Sequence, residues 1–270
     1  MQNAKVKELK KLMADKSLVF FDNPKLVAEA YMAGHQIIYT IKKEGYTGKT
    51  DYGGEVIELS ESVFKTFSST QSSQGLIGVV KFNFKPLQKP KGNFLVLDEL
   101  QDPGNVGTLI RSALGANFLD IYLINTVKPN NDKVVRSSMG AVFKTNLYPC
   151  TKDEFISEFK KWNLPLAVCH MQGENLYKTT FPNQVGVLVG NEGNGVSEEL
   201  KTLATKIISI PMQNNLESLN AGVSGSIVMF EINSQISNIT KWLNLSVLLL
   251  ANKFAGYGSL AGYGYELSTI

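Results

Sequence analysis

Five largely apolar runs, Phe94 to Leu97, Ile121 to Ile124, Leu164 to Cys169, Val185 to Val189 and Ile207 to Ile210, alternate with stretches of helical periodicity. Strands buried on both faces read in this way, because helices cover each side of their sheet and no polar residue has to alternate outward. The pattern predicts an α/β fold with a largely parallel sheet. In such sheets ligands lie beyond the carboxyl ends of the strands. Three segments fall there, each after a strand-like run and each opening a helix: Asp102 to Arg111 (DPGNVGTLIR), Gly190 to Gly195 (GNEGNG), and Ile210-Pro211-Met212 running on to Ser218-Leu219-Asn220.

In the first segment Asp102 is a good N-cap and Pro103 a good first helical residue, so a helix starts there with its free N–H groups at the end of the first run. Val106, Leu109, Ile110, Ala113 and Leu114 form its buried stripe, and Arg111 lies about 130° from the centre of that stripe with Thr108 and Gly115. In the second segment the glycines let the backbone approach a ligand closely or adopt positive φ. Ser197 can cap the helix that follows. A carboxylate at Glu192 needs solvent or a partner, and Arg111 is a partner that answers the need. In the third, Pro211 ends a strand and Ser218 or Asn220 caps a helix whose small residues, Ala221, Gly222, Ser224, Gly225 and Ser226, permit close backbone approach, at a subunit contact or a tight chain crossing.

Upstream, residues 4 to 16 have helical spacing, Leu18 to Phe21 reads as a strand, and Asn23-Pro24 caps a helix that stops at Gly34. Strand-like Gln36 to Ile41, Glu55 to Leu59 and Gly75 to Phe82 follow, with a helix around Ser60 to Phe67 before the last. This is a small α/β domain over 1–83. The proline- and lysine-rich 84–92 is a linker, and the second α/β domain occupies 93–240. Beyond Thr240 an apolar block and a glycine-tyrosine mixture mark 241–270 as an extension of separate origin, with a terminal helix and tail as the alternative.

Charge is divided unevenly: residues 1–91 carry 14 Lys and no Arg against 9 acidic residues, a net +5, and the remainder is slightly acidic. A lysine-rich first third fits a module that meets a polyanion. Lys outnumbers Arg 25 to 2, which singles out Arg111 and Arg136. Cys150, Cys169, His35 and His170 show no metal-ligand spacing, so no metal site is expected, and the two cysteines read as ordinary thiols of a reducing, cytoplasmic compartment. No apolar run approaches the roughly 20 residues needed to cross a bilayer, and no membrane is expected as a partner.

Together the three segments resemble the motifs of the SpoU (TrmH) family of RNA ribose 2′-O-methyltransferases, within the SPOUT superfamily. The amino-terminal part, especially Asn23 to Ala33 and Gln74 to Val79, is similar to the family's L30e-like RNA-binding domain, with Asp22-Asn23-Pro24 where that domain commonly has an acidic-glycine pair. The resemblance implies a trefoil knot in the catalytic domain, a homodimer, and S-adenosylmethionine as cofactor. It assigns Asn105, Arg111, Glu192, Ser218 and Asn220 to the catalytic site and Gly190, Asn191, Ile210, Met212, Leu219 and His170 to the cofactor site. The substrate it implies is RNA, with large-subunit (23S) rRNA ahead of tRNA. Two other readings stand beside it. A nucleotide-dependent oxidoreductase requires a G-x-G-x-x-G turn after the first strand, which this chain lacks. A non-catalytic RNA- or ribosome-binding protein on the same fold would show erosion of Asn105, Arg111, Glu192 or Asn220, and all four are present.

Overall fold

The computed structural model describes residues 2–254 apart from Lys16, Gln71, Asn83, Asn215 and Glu217, with side chains described over 4–237. The first part of the chain runs α1 (Gln2–Leu12), β1 (Leu18–Asp22), α2 (Pro24–Met32), β2 (Ile37–Lys43), β3 (Glu55–Leu59), α3 (Glu61–Phe64) and β4 (Leu76–Lys81). Its four strands form one sheet in the order β1-β4-β2-β3, with β4 antiparallel to both neighbours and β2 parallel to β3. Asn23 starts α2 by accepting the N–H groups of Lys25 and Leu26, and Gly34 takes the chain away at φ +80°. One face of this sheet packs Leu9, Ile41, Phe64 and Ile77 together. From the other face Phe21, Leu26, Val27 and Val80 join the core that continues into the second half of the molecule.

After the extended 84–92 come β5 (Phe94–Asp98), α4 (Pro103–Gly115), β6 (Asp120–Ile124), α5 (Asp132–Ser137), β7 (Asn146–Cys150), α6 (Lys152–Trp162), β8 (Leu166–Asn175), β9 (Gly186–Val189), α7 (Glu198–Lys201), β10 (Lys206–Ser209) and α8 (Ala221–Phe254). The six strands make one sheet, order β10-β8-β9-β5-β6-β7, parallel throughout. Its period-2 alternation serves two cores. Leu95, Leu97, Ile121, Leu123, Val187 and Val189 face Val106, Leu109, Ile110 and Ala113 of α4 and Val228, Met229 and Ile232 of α8. Phe94, Val96, Tyr122, Tyr148 and Leu188 face Phe155, Phe159 and Trp162 of α6. Burial on both faces is why these strands lack polar alternation.

Two elements escape the apolar pattern. β7 carries Pro149, which an edge strand tolerates because it has only one neighbour to bond. α5 is six residues long, too short to declare a period. The parallel ladder between β8 and β10 shifts register: Ile207 pairs with Val168 and Ile208 with Glu174, so residues 169–173 form an irregularity within β8. The small residues of α8 serve an intramolecular crossing. A Cβ on Gly225 would stand 2.5 Å from the Leu109 side chain of α4, and Ser226 donates its hydroxyl proton to Ser112 of α4 at 2.7 Å. The backbone of α8 continues as helix across residue 240 to Phe254, in line with the terminal-helix alternative for 241–254, and 255–270 lie outside the described residues. Among the described residues no helix is long and apolar enough to cross a membrane.

Candidate active site

All three segments converge at the carboxyl ends of β5, β9 and β10. Asp102 caps α4, its carboxylate accepting the Asn105 N–H at 3.1 Å. The Gly104 N–H, then that of Asn105 and the Lys133 ammonium, hold its carboxyl below the usual carboxylate range. The capped turn leaves Asn105 buried at the start of the helix, and its Nδ2 donates to Glu192 Oε1 at 2.8 Å. Glu192 is therefore partnered by Asn105 and not by Arg111, which corrects the pairing expected from the sequence. Arg111 sits on the exposed face of α4 with Thr108 and Gly115, opposite the buried stripe, and makes no hydrogen bond or ion pair with any described residue. It follows Asn105 by about 9 Å of helix rise.

The glycine turn after β9 is held by Asn191. Its Oδ1 accepts the N–H groups of Gly193 and Asn194, its Nδ2 donates to the Glu99 carbonyl at 2.8 Å, and its backbone bridges to Gly195, which has φ +70°. The turn closes so tightly that a Cβ on Gly190 would overlap the Gly195–Val196 backbone. Ser197 does not cap α7 as its type suggests. Its hydroxyl is buried without a partner, while its N–H donates to Asp98 Oδ2 at 2.8 Å. Asp98 is 1% exposed, and its Oδ1 has no hydrogen-bond partner. Sequence reasoning overlooks Asp98 because it reads as the end of an apolar run; the polar residue terminating a buried strand was the available signal.

Asn220 starts α8, its Oδ1 accepting the N–H groups of Gly222 and Val223 at 2.9 and 3.3 Å. A Cβ on Gly222 would lie 3.1 Å from Asn220 Oδ1, 3.3 Å from Asn105 Oδ1 and 3.4 Å from Thr108 Cβ. The first and third segments thus touch at a glycine, and the second is tied to the first through Glu192. Ser218 is exposed and enters none of these hydrogen bonds.

Ile210, Met212 and Leu219 are half-buried in the crossover from β10 to α8, and the N–H groups of Met212 and Leu219 have no acceptor among the described residues. His170 lies in the irregular 169–173 stretch of β8, where its Nδ1 accepts the Gln172 N–H at 3.2 Å. A Cβ on Gly173 would meet the Ile208 backbone at 2.5 Å. Close backbone crossings, unused N–H donors and half-buried apolar side chains fit a cofactor that carries an adenine ring and an amino-acid tail. Burial pushes the Cys169 thiol beside them up to about 12, so it is a neutral group at this site. Among the described residues no cluster of three His, Cys, Asp or Glu side chains is placed to hold a metal ion.

The profile of the SpoU rRNA Methylase family matches residues 92–230. The chain is 27% identical over 240 residues to the Bacillus subtilis 23S rRNA (guanosine(2553)-2′-O)-methyltransferase RlmP, spanning 86% of this chain and 96% of that one. Its fold is similar to that of an AdoMet-bound rRNA methyltransferase from Sinorhizobium meliloti, with TM-score 0.76, 25% identity and coverage of 87% and 96%. An RNA 2′-O ribose methyltransferase structure gives TM-score 0.73 at 25% identity, covering 86% and 96%. Fold, site and relatives define an S-adenosylmethionine-dependent RNA ribose 2′-O-methyltransferase. More particularly, the chain belongs to the SpoU rRNA Methylase family.

Proposed function

We propose that the chain methylates one ribose 2′-hydroxyl of 23S rRNA, in the cytoplasm and as a homodimer through its catalytic domain, with residues 1–83 holding RNA, 84–92 as linker and 93–240 carrying the transfer. The match to RlmP over nearly the whole of both chains supports the rRNA assignment. The observation that carries the site is the Asn105–Glu192 hydrogen bond at 2.8 Å, which joins the first two segments beside the third.

S-adenosylmethionine supplies an electrophilic methyl group on a sulfonium. In the proposed site the chain at Gly190, Asn191, Ile210, Met212, Leu219 and His170 binds it, and the strand order suits a knotted crossover there. Bound there, it would give its methyl carbon to the 2′-hydroxyl oxygen and be left as a thioether, and the hydroxyl proton would have to depart. A guanidinium stays charged at neutral pH and is a poor proton acceptor. Arg111, exposed and without a partner among the described residues, instead orients the hydroxyl and an adjacent phosphate, and the proton passes to that phosphate, to Glu192 or to water. Asn105 fixes Glu192, while Ser218 and Asn220 position the ribose and the cofactor loop. Most of the acceleration then comes from holding two reactants in register.

The test is incubation with labelled S-adenosylmethionine and, separately, unmodified 23S rRNA, 16S rRNA and bulk tRNA, followed by mapping of 2′-O-methyl positions. Label at a single ribose of 23S rRNA is the expected result. Label confined to tRNA would overturn the substrate assignment while leaving the enzyme class intact.

A further inference from the structure

Arg136, the second of the chain's two arginines, lies on α5 between the amino-terminal sheet and the start of α4. Its Nη1 is bound twice, to Asp132 Oδ2 at 2.6 Å and to the Ser69 hydroxyl at 2.7 Å. Those two bonds use both protons of Nη1. The Nε–H and both Nη2 protons have no partner among the described residues, and the side chain is about a third exposed. This remaining edge is the one that offers two parallel N–H bonds to a carboxylate or phosphate.

The surroundings fix that edge in place. Ser68, Thr70 and Ser73 all donate their hydroxyls to the buried Asp22, which ties the 68–75 loop of the amino-terminal part down. On the other side, Lys133 Nζ pairs with Asp102 at 3.3 Å, and Ser137 Oγ donates to the Pro103 carbonyl at 3.1 Å. Arg136 is thus held one helical turn from residues that grip the capped turn carrying Asn105.

Building on the RNA-methylation reading, we infer that Arg136 is a substrate-positioning residue whose free Nε/Nη2 edge holds a backbone phosphate of the RNA at the seam between the two parts of the molecule. The partner is a phosphodiester and not a protein carboxylate, because the free edge can bond either group bidentately and the family acts on rRNA. The contact would fix the distance between the RNA held by the amino-terminal part and the ribose presented to α4.

The experiment compares wild type, Arg136→Gln and Arg136→Lys for binding to unmodified total ribosomal RNA across a series of KCl concentrations, with methyl transfer and cofactor affinity measured in parallel. Each phosphate contact contributes about 0.7–0.9 to the slope of log affinity against log salt. The Gln variant should bind RNA about 10-fold more weakly, as loss of a charge-assisted contact implies, and lose that increment of slope while cofactor affinity holds. The Lys variant should keep the slope but regain only part of the affinity, since an ammonium cannot bond bidentately. Wild-type slope and affinity in the Gln variant would overturn the inference. So would equal loss of RNA and cofactor binding in both variants, the mark of a purely structural role. Absence of RNA binding and methylation in the wild type would instead refute the reading on which the inference rests.

Discussion

Asn105 and Glu192 are 87 positions apart, yet each completes the other: a buried amide donor and an exposed carboxylate meet at 2.8 Å. Removing either side chain breaks this bond, so Asn105→Ala and Glu192→Ala should each lower kcat at least 10-fold, about 1.4 kcal/mol of transition-state stabilisation. The double variant should be little worse than either single one, because both remove the same interaction; steady-state rates on the mapped RNA would show additivity if the two act separately. The residue types were visible in the sequence, but their pairing was not. A carboxylate in a turn calls for a partner, and the obvious cation, Arg111, is on the same helix as the amide that actually takes it. Both cysteines should be inert at neutral pH, because burial pushes the Cys150 and Cys169 thiols up to about 12 and the thiolate is the reactive species. Alkylation of the native protein at pH 7.5 should leave both unmodified over the time in which unfolded protein reacts fully.

At the scale of elements, α4 was the most legible feature of the chain. Its cap, first-turn proline and apolar stripe all fall where local spacing puts them, and Arg111 emerges on the face opposite the stripe. Replacing Asp102 by Ala should cost about 1 kcal/mol of stability at neutral pH, the ordinary value of an N-cap. The sign of its pH dependence follows from a carboxyl held low by the Gly104 and Asn105 N–H groups and Lys133. Its contribution is complete above the unfolded carboxyl value, near 4, and is lost as pH falls through the lower folded value. The gap in Tm between wild type and Asp102→Ala should therefore narrow in acid. The α4–α8 crossing makes a different demand. Gly225→Val places new atoms against Leu109 and Val189 and should destabilise by about 1–3 kcal/mol, as read from urea unfolding. The small-residue run announced close packing, but periodicity alone could not say whether the neighbour was α4 or a second subunit. β7 and α5 were hidden for simple reasons, a proline in an edge strand and a helix shorter than two turns, and with α5 went the setting of Arg136.

For the whole molecule, the two sheets are bound along a seam that no local pattern describes. His35 Nε2 lies 3.1 Å from the Phe143 carbonyl, within reach to donate, and its ring packs against Phe82 and Phe143. Lys144 pairs with Glu29 at 2.5 Å, and a Cβ on Gly140 would press on Glu29. The alternation of apolar runs and helices sufficed to foresee a parallel sheet with helices on both faces, because burial of each strand is a local property of its sequence. Strand order, the register shift at 169–173 and the meeting of three distant segments depend on long-range register and had no local signature. The excess of lysine in the first third agrees with an RNA-facing role. The two parts meet in one proposed event, the passage of a methyl group to a ribose oxygen oriented by Arg111. The measurement that bears on it most directly is methyl transfer from tritiated S-adenosylmethionine to unmodified total RNA by wild type and Arg111→Ala, with cofactor affinity determined for both. The account predicts label on a ribose 2′-oxygen, reduced at least 100-fold in the variant at unchanged cofactor affinity; label on a base, or equal transfer by the two proteins, would contradict it.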